Sequence, residues 1–503
     1  MNFLKKFKYT DYYTKSAILI IALGFIIRFA LIFLYHPSGD ACWHLSVSRF
    51  MADNLKIPLL EPLGREVFWE PPVFHIISSL FYRIFSIFGS GVAEFSLKLV
   101  SPIFGSLSLI MTFLIMSGLF GKKTAFYSAI FATFLPINIF YGTIAYTESL
   151  MTFFVLLSLY LMMKERHILS AVAFGVSLLS KYNALFTLPL IIYFMYKNNK
   201  QPKEFVKKFL IFGIIAGLIF LPWLARNYLY LHNPLWPFFT SVFGGYESAE
   251  TFKGNNISSL WSINNLAALY LGVFGVPEGN YQNIFYFKVP FIHLFFAAWL
   301  LATVVFTVPL FFSFRKKGQS SKIKSFLLLW LAPHLLLVAL YVINTGIAYS
   351  RLLVPAVPLF SAMWGLGFIY LLDRMKKFRA TMIFVLIVLV IGFSAAEFVK
   401  AALAGKEWNF YQKDFDWAKK NTGKDSVFIA GGQCMSYNLQ RFTLNPAAEN
   451  LDKANYAFVN QNFRLDYHVI FDEQTLKSMQ SRNYSIAYFN KSTGTTIYYG
   501  IKR

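Results

Sequence analysis

The sequence predicts an all-helical, polytopic membrane protein with a small α/β domain at its C-terminal end. Three observations carry that prediction. The 503-residue chain is 56% apolar and 14% charged, with 57 phenylalanines and 19% aromatic residues, whereas a soluble domain carries about 25% charged residues. The apolar residues fall in long runs of the kind a hydrocarbon layer demands, about 20 residues per crossing. The basic residues collect in short loops between those runs. The net charge of +23 therefore reads as a positive-inside topology and not as a nucleic-acid surface; no nucleic-acid partner is expected.

The basic head MNFLKKFKYTDYYTK is expected in the cytoplasm. Residues 16–35 are too long an apolar run for a cleaved signal peptide and lack a small-residue cleavage site, so they read as the first span. Residues 36 to about 93 then stay outside. Within them, 41–54 reads as a helix lying on the membrane, and 73–88 as an apolar segment that does not cross. Ten further spans follow: 94–120, 124–141, 147–163, two short ones within 168–196, then 209–224, 290–314, 325–343, 351–372 and 380–397. A long outer segment separates 226 from about 289. On this reading of about eleven spans every basic loop lands on one side. A crossing at 73–88 would invert the later loops.

Composition changes after residue 397, so residues 1–397 form the expected membrane domain and 398–503 a soluble extracytoplasmic one. A helix is expected around DFDWAKKN and a strand at Val427-Phe428-Ile429-Ala430 before Gly431-Gly432. Two β-rich runs flank Ser492-Thr493-Gly494 and read as a hairpin. At roughly 100 residues the tail is large enough to fold as a unit. It carries no metal, phosphate or triad motif, and its expected role is to cap the active face or contact an acceptor. Cys42 and Cys434 both fall outside; they can pair only if their loops meet, which the sequence does not decide.

The topology gathers Asp40, Glu70, Glu148, Lys181, Arg226 and Arg351 on the outer face. Carboxylates at a hydrocarbon edge are costly and mark chemistry or a pathway. A carboxylate can take the proton of an attacking hydroxyl, and Lys or Arg can neutralise a departing phosphate. Each residue also has a plainer reading. Asp40 suits an N-cap before Ala-Cys-Trp-His, and Glu148 another, with Thr147 as its rival. Glu70 is then an interfacial carboxylate, and Lys181 and Arg351 snorkel. Arg28, inside the first span, lies near enough to the outer end to snorkel or pair. His44 and His75 read as structural polar contacts, the alternative being metal ligands with Glu70.

These residues resemble the GT-C superfamily of membrane glycosyltransferases, in the branch that holds protein O-mannosyltransferases and the lipid A aminoarabinose transferase. The resemblance covers about residues 16–370. It rests on Gly39-Asp40, Phe68-Trp69-Glu70-Pro71-Pro72, Tyr141-Gly142-Thr143 through Thr147-Glu148, and Leu179-Ser180-Lys181-Tyr182. Pro222-Trp223-Leu224-Ala225-Arg226-Asn227, Asn233-Pro234 and Arg351-Leu352-Leu353-Val354-Pro355 complete it. The sequence departs from that pattern where Ala41 follows Asp40, where Pro71 stands for a lysine, and where Glu148 stands for an aspartate.

The resemblance implies a GT-C fold and an inverting transfer of a sugar from a polyprenyl-phosphate-linked donor, entering from the membrane lipids. The acceptor would be a hydroxyl on a protein, lipid or glycan at the outer face. It makes Asp40 the expected base, with Glu148 in the catalytic set. Lys181, Arg351 and Arg226 are expected at the donor phosphate. Glu70 is a substrate contact or lies near a divalent cation, whose involvement stays open. The expected location is the plasma membrane of a prokaryote. The alternative is a flippase or transporter of a lipid-linked sugar, which would need polar sites at mid-membrane in two matching halves.

Overall fold

The computed structural model describes residues 11–59, 68–199, 201–245, 257–275, 292–315, 319–461 and 471–500. Much of the expected outer segment before residue 289 lies outside these. The chain divides into two compact units. One comprises 1–31, 101–143 and 147–398; the other comprises 32–100, 144–146 and 399–503.

Helix α1 (Tyr12–Leu34) is followed by α2 (Asp40–Asn54) and α3 (Val73–Phe85). After these come α4 (Ser90–Phe120), α5 (Lys122–Phe134), α6 (Pro136–Tyr141), α7 (Glu148–Met163), α8 (His167–Leu178) and α9 (Leu188–Asn198). Next are α10 (Pro202–Leu231), α11 (Ile263–Val273) and α12 (Ile292–Phe312), then α13 (Ser320–Thr345) and α14 (Ser350–Arg374), and α15 (Arg379–Asn409). Each of the eleven expected spans coincides with a helical segment. Seven helices among the described residues are long and apolar enough to cross a bilayer singly. The others are short: α7 has 16 residues and α8 has 12, about 24 and 18 Å at 1.5 Å per residue.

The first unit is built around α14, 94% of whose apolar window is buried. Its Trp364 lies between Phe131 of α5 and Phe306 of α12, with ring centroids 6.0 and 5.4 Å away. Gly367 permits the α12–α14 crossing, since a Cβ there would stand 1.6 Å from the Pro309 carbonyl oxygen. Trp330 of α13 donates its indole N–H to the Pro355 carbonyl at 3.0 Å.

Of the two places expected for Arg28, snorkelling or pairing, the structure takes the second. It is 1% exposed. The reason lies some 105–110 residues away. Pro136 cannot continue α5, because it lacks an N–H and its ring crowds the preceding turn. The chain breaks at Leu135 and restarts with Pro136 at the first turn of α6. A break of this kind leaves carbonyls that lipid cannot satisfy. The Arg28 guanidinium donates to Thr133 O at 3.5 Å and Asn138 O at 3.1 Å, and to Gly24 O of its own helix at 3.0 Å. The Asn138 amide takes the Ala132 carbonyl at 2.9 Å. Arg28 is thus a cap for a broken helix. Beside it, a Cβ on Gly105 would lie 2.8 Å from Gly142 Cα, so backbone meets backbone where the chain leaves α6.

The second unit joins α2, α3 and the start of α4 to the tail. The tail holds α16 (Gln412–Asn421), β1 (Val427–Ile429), α17 (Gln433–Leu439), β2 (Phe442–Leu444), β3 (Tyr456–Val459), α18 (Glu473–Ser481), β4 (Ser485–Asn490) and β5 (Thr495–Tyr499). The sheet order is β2-β1-β3-β5-β4. β1 runs parallel to β2 and β3, while β5 is antiparallel to β3 and β4. The expected hairpin is β4–β5, with Asn490 opposite Thr495 and Gly494 at φ +72° closing the turn, a conformation that glycine adopts without a Cβ clash. Phe415 of α16 stacks on Phe458 of β3 at 5.5 Å. Asp414 is fully buried and accepts from Tyr488 Oη at 2.8 Å and Asn490 Nδ2 at 2.6 Å. Burial first, and the Asp414 bond second, push the Tyr488 phenol up to about 12.

Helix α2 is bound to this tail along its length. Cys42 forms a disulfide with Cys434 of α17, Cα–Cα 4.9 Å, so the two loops do meet. Arg49 forms a two-pronged ion pair with Glu94, donates to the Tyr437 carbonyl at 3.3 Å and lies over the Tyr437 ring. His36, just before α2, stacks on Trp408 at 4.4 Å and faces Asn438 Oδ1 at 3.0 Å. Removing a native disulfide typically costs about 2–5 kcal/mol. The Cys42→Ser/Cys434→Ser protein is expected to melt at lower temperature in detergent, with the tail cleaved by protease well before the membrane helices. Identical melting of the oxidised and doubly substituted proteins would show that the noncovalent contacts suffice.

Candidate active site

Four of the six sequence-derived residues lie in the first unit. Glu148 is the first residue of α7 and is 1% exposed. Thr147 is the N-cap by position, with no capping bond from its side chain. Glu148 looks instead to Lys181, which sits in extended conformation between α8 and the 3₁₀ turn Tyr182–Thr187. Lys181 Nζ donates to Glu148 Oε1 at 2.8 Å and to Thr147 Oγ1 at 3.3 Å. The lysine side chain is 13% exposed and the glutamate 1%, so the pair is largely dry. A dry ion pair is strongly coupled, and neither member can be removed without stranding the other.

Next to Lys181, the Tyr182 hydroxyl is a hub. It accepts from Trp223 Nε1 at 2.7 Å and Asn227 Nδ2 at 3.3 Å, and donates to the Trp236 carbonyl at 3.4 Å. One donor and two acceptor positions are all a phenol has. Arg226 is tied to the same group. Its Nη1 donates to Asn227 Oδ1 at 2.9 Å and its guanidinium lies 4.8 Å from the Trp223 ring centre. The 3₁₀ turn that opens α14 carries Arg351, whose guanidinium stands 4.8 Å from the Tyr349 ring centre. Lys181 and Arg226 are therefore linked through Tyr182 and Asn227. Tyr182's part was not legible beyond its place after Lys181.

The other two lie in the second unit. Asp40 is half-buried and opens α2; Gly39 is the N-cap, so Asp40 stands one position inside the expected cap. Glu70, 4% exposed, precedes Pro71-Pro72 and the start of α3. Between them lies a contact the spacing did not show. His44, four residues after Asp40 and so on the same helix face, brings Nδ1 to 3.0 Å from His75 Nε2 of α3. His75 Nδ1 is buried with no hydrogen-bond partner among the described residues, which favours the tautomer with the proton on Nε2, donated to His44. Phe68, Trp43 and Phe74 enclose the two rings. The structural reading of the two histidines is the one these contacts support. Among the described residues no three His, Cys, Asp or Glu side chains converge as a metal ion requires, and the histidine nitrogens are turned on each other. Among the described residues this arrangement does not fit a metal centre.

The described fold matches solved membrane transferases along almost its whole length. ArnT of Cupriavidus metallidurans superposes with a TM-score of 0.62 at 12% identity, covering 97% of this chain and 98% of that one. Its structure bound to undecaprenyl phosphate gives 0.60 at 13% identity, with the same coverage. The Archaeoglobus fulgidus oligosaccharyltransferase, solved with zinc and sulfate, gives 0.54 at 13%, covering 96% and 73%. The family described as dolichyl-phosphate-mannose-protein mannosyltransferase matches residues 69–225, the stretch that holds Glu70, Glu148 and Lys181. The chain thus has the fold of these membrane proteins, the GT-C fold. Its long apolar helices make it an integral membrane protein. An uncharacterised protein of Aquifex aeolicus is 27% identical over 284 residues, 52% of each chain; the match thus spans about half the length of that curated relative.

Proposed function

We propose that this GT-C protein is an inverting glycosyltransferase that uses a polyprenyl-phosphate-linked sugar. The observation that carries the proposal is the dry Glu148–Lys181 pair, with Arg226 tied to the adjoining hub, on a fold shared with a protein solved with undecaprenyl phosphate. A lysine held this way is a fixed positive charge, already desolvated, which is what a developing phosphate needs. Lys181, Arg226 and Arg351 bind the donor phosphate. Glu148 is a positioning residue: it holds the Lys181 ammonium in place.

In the reaction the acceptor oxygen attacks the anomeric carbon from the face opposite the phosphate. The new C–O bond forms as the bond from that carbon to the phosphate oxygen breaks. The electron pair stays on the phosphate, and polyprenyl phosphate leaves as a stable anion, so no strong acid is needed on that side. Asp40 takes the acceptor's hydroxyl proton, and Glu70 contacts the substrate. The disulfide between the α2 loop and the tail supports an oxidising, extracytoplasmic compartment for that segment, as the basic loops do for the opposite side. In a prokaryote this is the outer face of the plasma membrane.

Purified protein given radiolabelled polyprenyl-phosphate sugars and mixed hydroxyl acceptors is expected to release polyprenyl phosphate and form labelled, inverted product. Movement of intact labelled lipid across proteoliposomes with no chemical change would replace this reading with a flippase.

A further inference from the structure

Away from the site just described, the first unit has an apolar groove of about 350 Å³ walled by α12, α14 and α15. Phe306, Pro309, Phe368, Leu371, Met382 and Leu386 line it, and Thr381 alone among the lining residues is polar. From Phe378, just before α15, to Leu389 the groove spans twelve residues, about 16 Å of helix. That length and width suit one hydrocarbon chain.

The mouth of the groove is charged. Met375 and Phe378 form its rim, and they stand in the sequence Arg374-Met375-Lys376-Lys377-Phe378-Arg379. All four cations are exposed, as is Arg315 just past the end of α12. Arg374 leans over the Tyr370 ring at 5.7 Å, and Arg379 reaches the Leu372 carbonyl at 3.5 Å, so both are held near the rim. Asp373, the carboxylate closest in sequence, pairs with Lys123 at 3.6 Å, and one carboxylate against the cations Arg374, Lys376, Lys377 and Arg379 leaves the rim positive.

We infer that this groove binds an anionic glycerophospholipid, with an acyl chain between α12, α14 and α15 and its phosphate on Lys376, Lys377, Arg379 and Arg315. Basic pockets between transmembrane helices on the cytoplasmic side recognise anionic head groups in this way. The donor's own polyprenyl chain is a poorer occupant. Its phosphate is assigned to Arg351, which opens α14, whereas the groove mouth follows that helix's last residue. The two ends are 25 residues apart, about 36 Å of helix.

The test uses the full chain reconstituted in vesicles of equal phosphatidylglycerol and phosphatidylcholine, re-extracted in mild detergent and weighed by native mass spectrometry. Wild type is expected to retain phosphatidylglycerol over phosphatidylcholine. Lys376→Gln/Lys377→Gln, at two exposed positions that leave the fold alone, is expected to weaken that retention about 10- to 30-fold, roughly a tenfold loss for each 1.4 kcal/mol at about 1 kcal/mol per cation. Leu371→Trp, which fills the groove, is expected to release the lipid with the cations intact. Equal retention of both lipids by wild type, or unchanged retention by the double variant, overturns the inference. So does displacement of phosphatidylglycerol by undecaprenyl phosphate, which would give the groove to the donor chain. Loss of transferase activity by itself bears on the proposed reaction and not on this site.

Discussion

Asp40→Asn is expected to lower turnover about 100- to 10,000-fold, the usual worth of a positioned base, while donor affinity stays within a few-fold of wild type. The substitution keeps size and shape and removes the negative charge and, with it, the ability to take a proton. It should leave α2 intact, because that helix is fixed elsewhere: by the disulfide at Cys42, by the Arg49–Glu94 pair and by the His44–His75 bond. Structure and chemistry are therefore separable at this position. The measurement is release of labelled sugar under single-turnover conditions, with donor binding followed in parallel and disulfide formation checked by thiol titration. Wild-type turnover in Asp40→Asn would remove the residue from the mechanism and move the search for a base to Glu70.

The places where sequence reasoning succeeded and failed share one physical cause. Apolar run length and loop charge are local, and they located the eleven helical segments and the tail. The β4–β5 hairpin was equally local, since Gly494 marks its turn. What stayed hidden depends on residues far apart in the chain. Cys42 and Cys434 are 392 residues apart, and no spacing rule connects them. Arg28 was read as snorkelling or pairing, and its partners stayed hidden because Thr133 and Asn138 flank a break made by Pro136. A proline within an apolar run and an unmatched arginine in another are the two signals that, taken together, would have found it. Run length also overstates a span where irregular turns interrupt it. The region from α7 to α9 was read as three crossings, and its helices are individually short because 3₁₀ and extended segments around Lys181 present side chains inward. Lys181 sits at such an interruption and Arg351 in the 3₁₀ turn that opens α14, whereas Arg226 lies within the regular helix α10. At the site itself the residue types were legible and their pairing was not. Glu148 and Lys181 were each singled out, yet nothing in a 33-residue separation says that they touch.

That pairing makes a sharper experiment than either residue alone. Lys181→Met strips a fixed charge from the developing phosphate and is expected to cut turnover about 100- to 1,000-fold, the range for one lost electrostatic donor. It also strands the Glu148 carboxylate, 1% exposed, with loss of about 3–5 kcal/mol of stability. Glu148→Gln strands the ammonium, with Thr147 Oγ1 at 3.3 Å as a neutral partner that cannot balance the charge. The double variant Glu148→Gln/Lys181→Met removes both charges at once. It should recover most of the lost stability, because replacing a buried pair by uncharged groups is often neutral or better, and it should recover none of the activity. Thermal melts and turnover measured on all four proteins separate the two roles. If activity returns together with stability in the double variant, the pair only holds α7 against the Lys181 turn, and the phosphate must be bound by Arg226 and Arg351 without it.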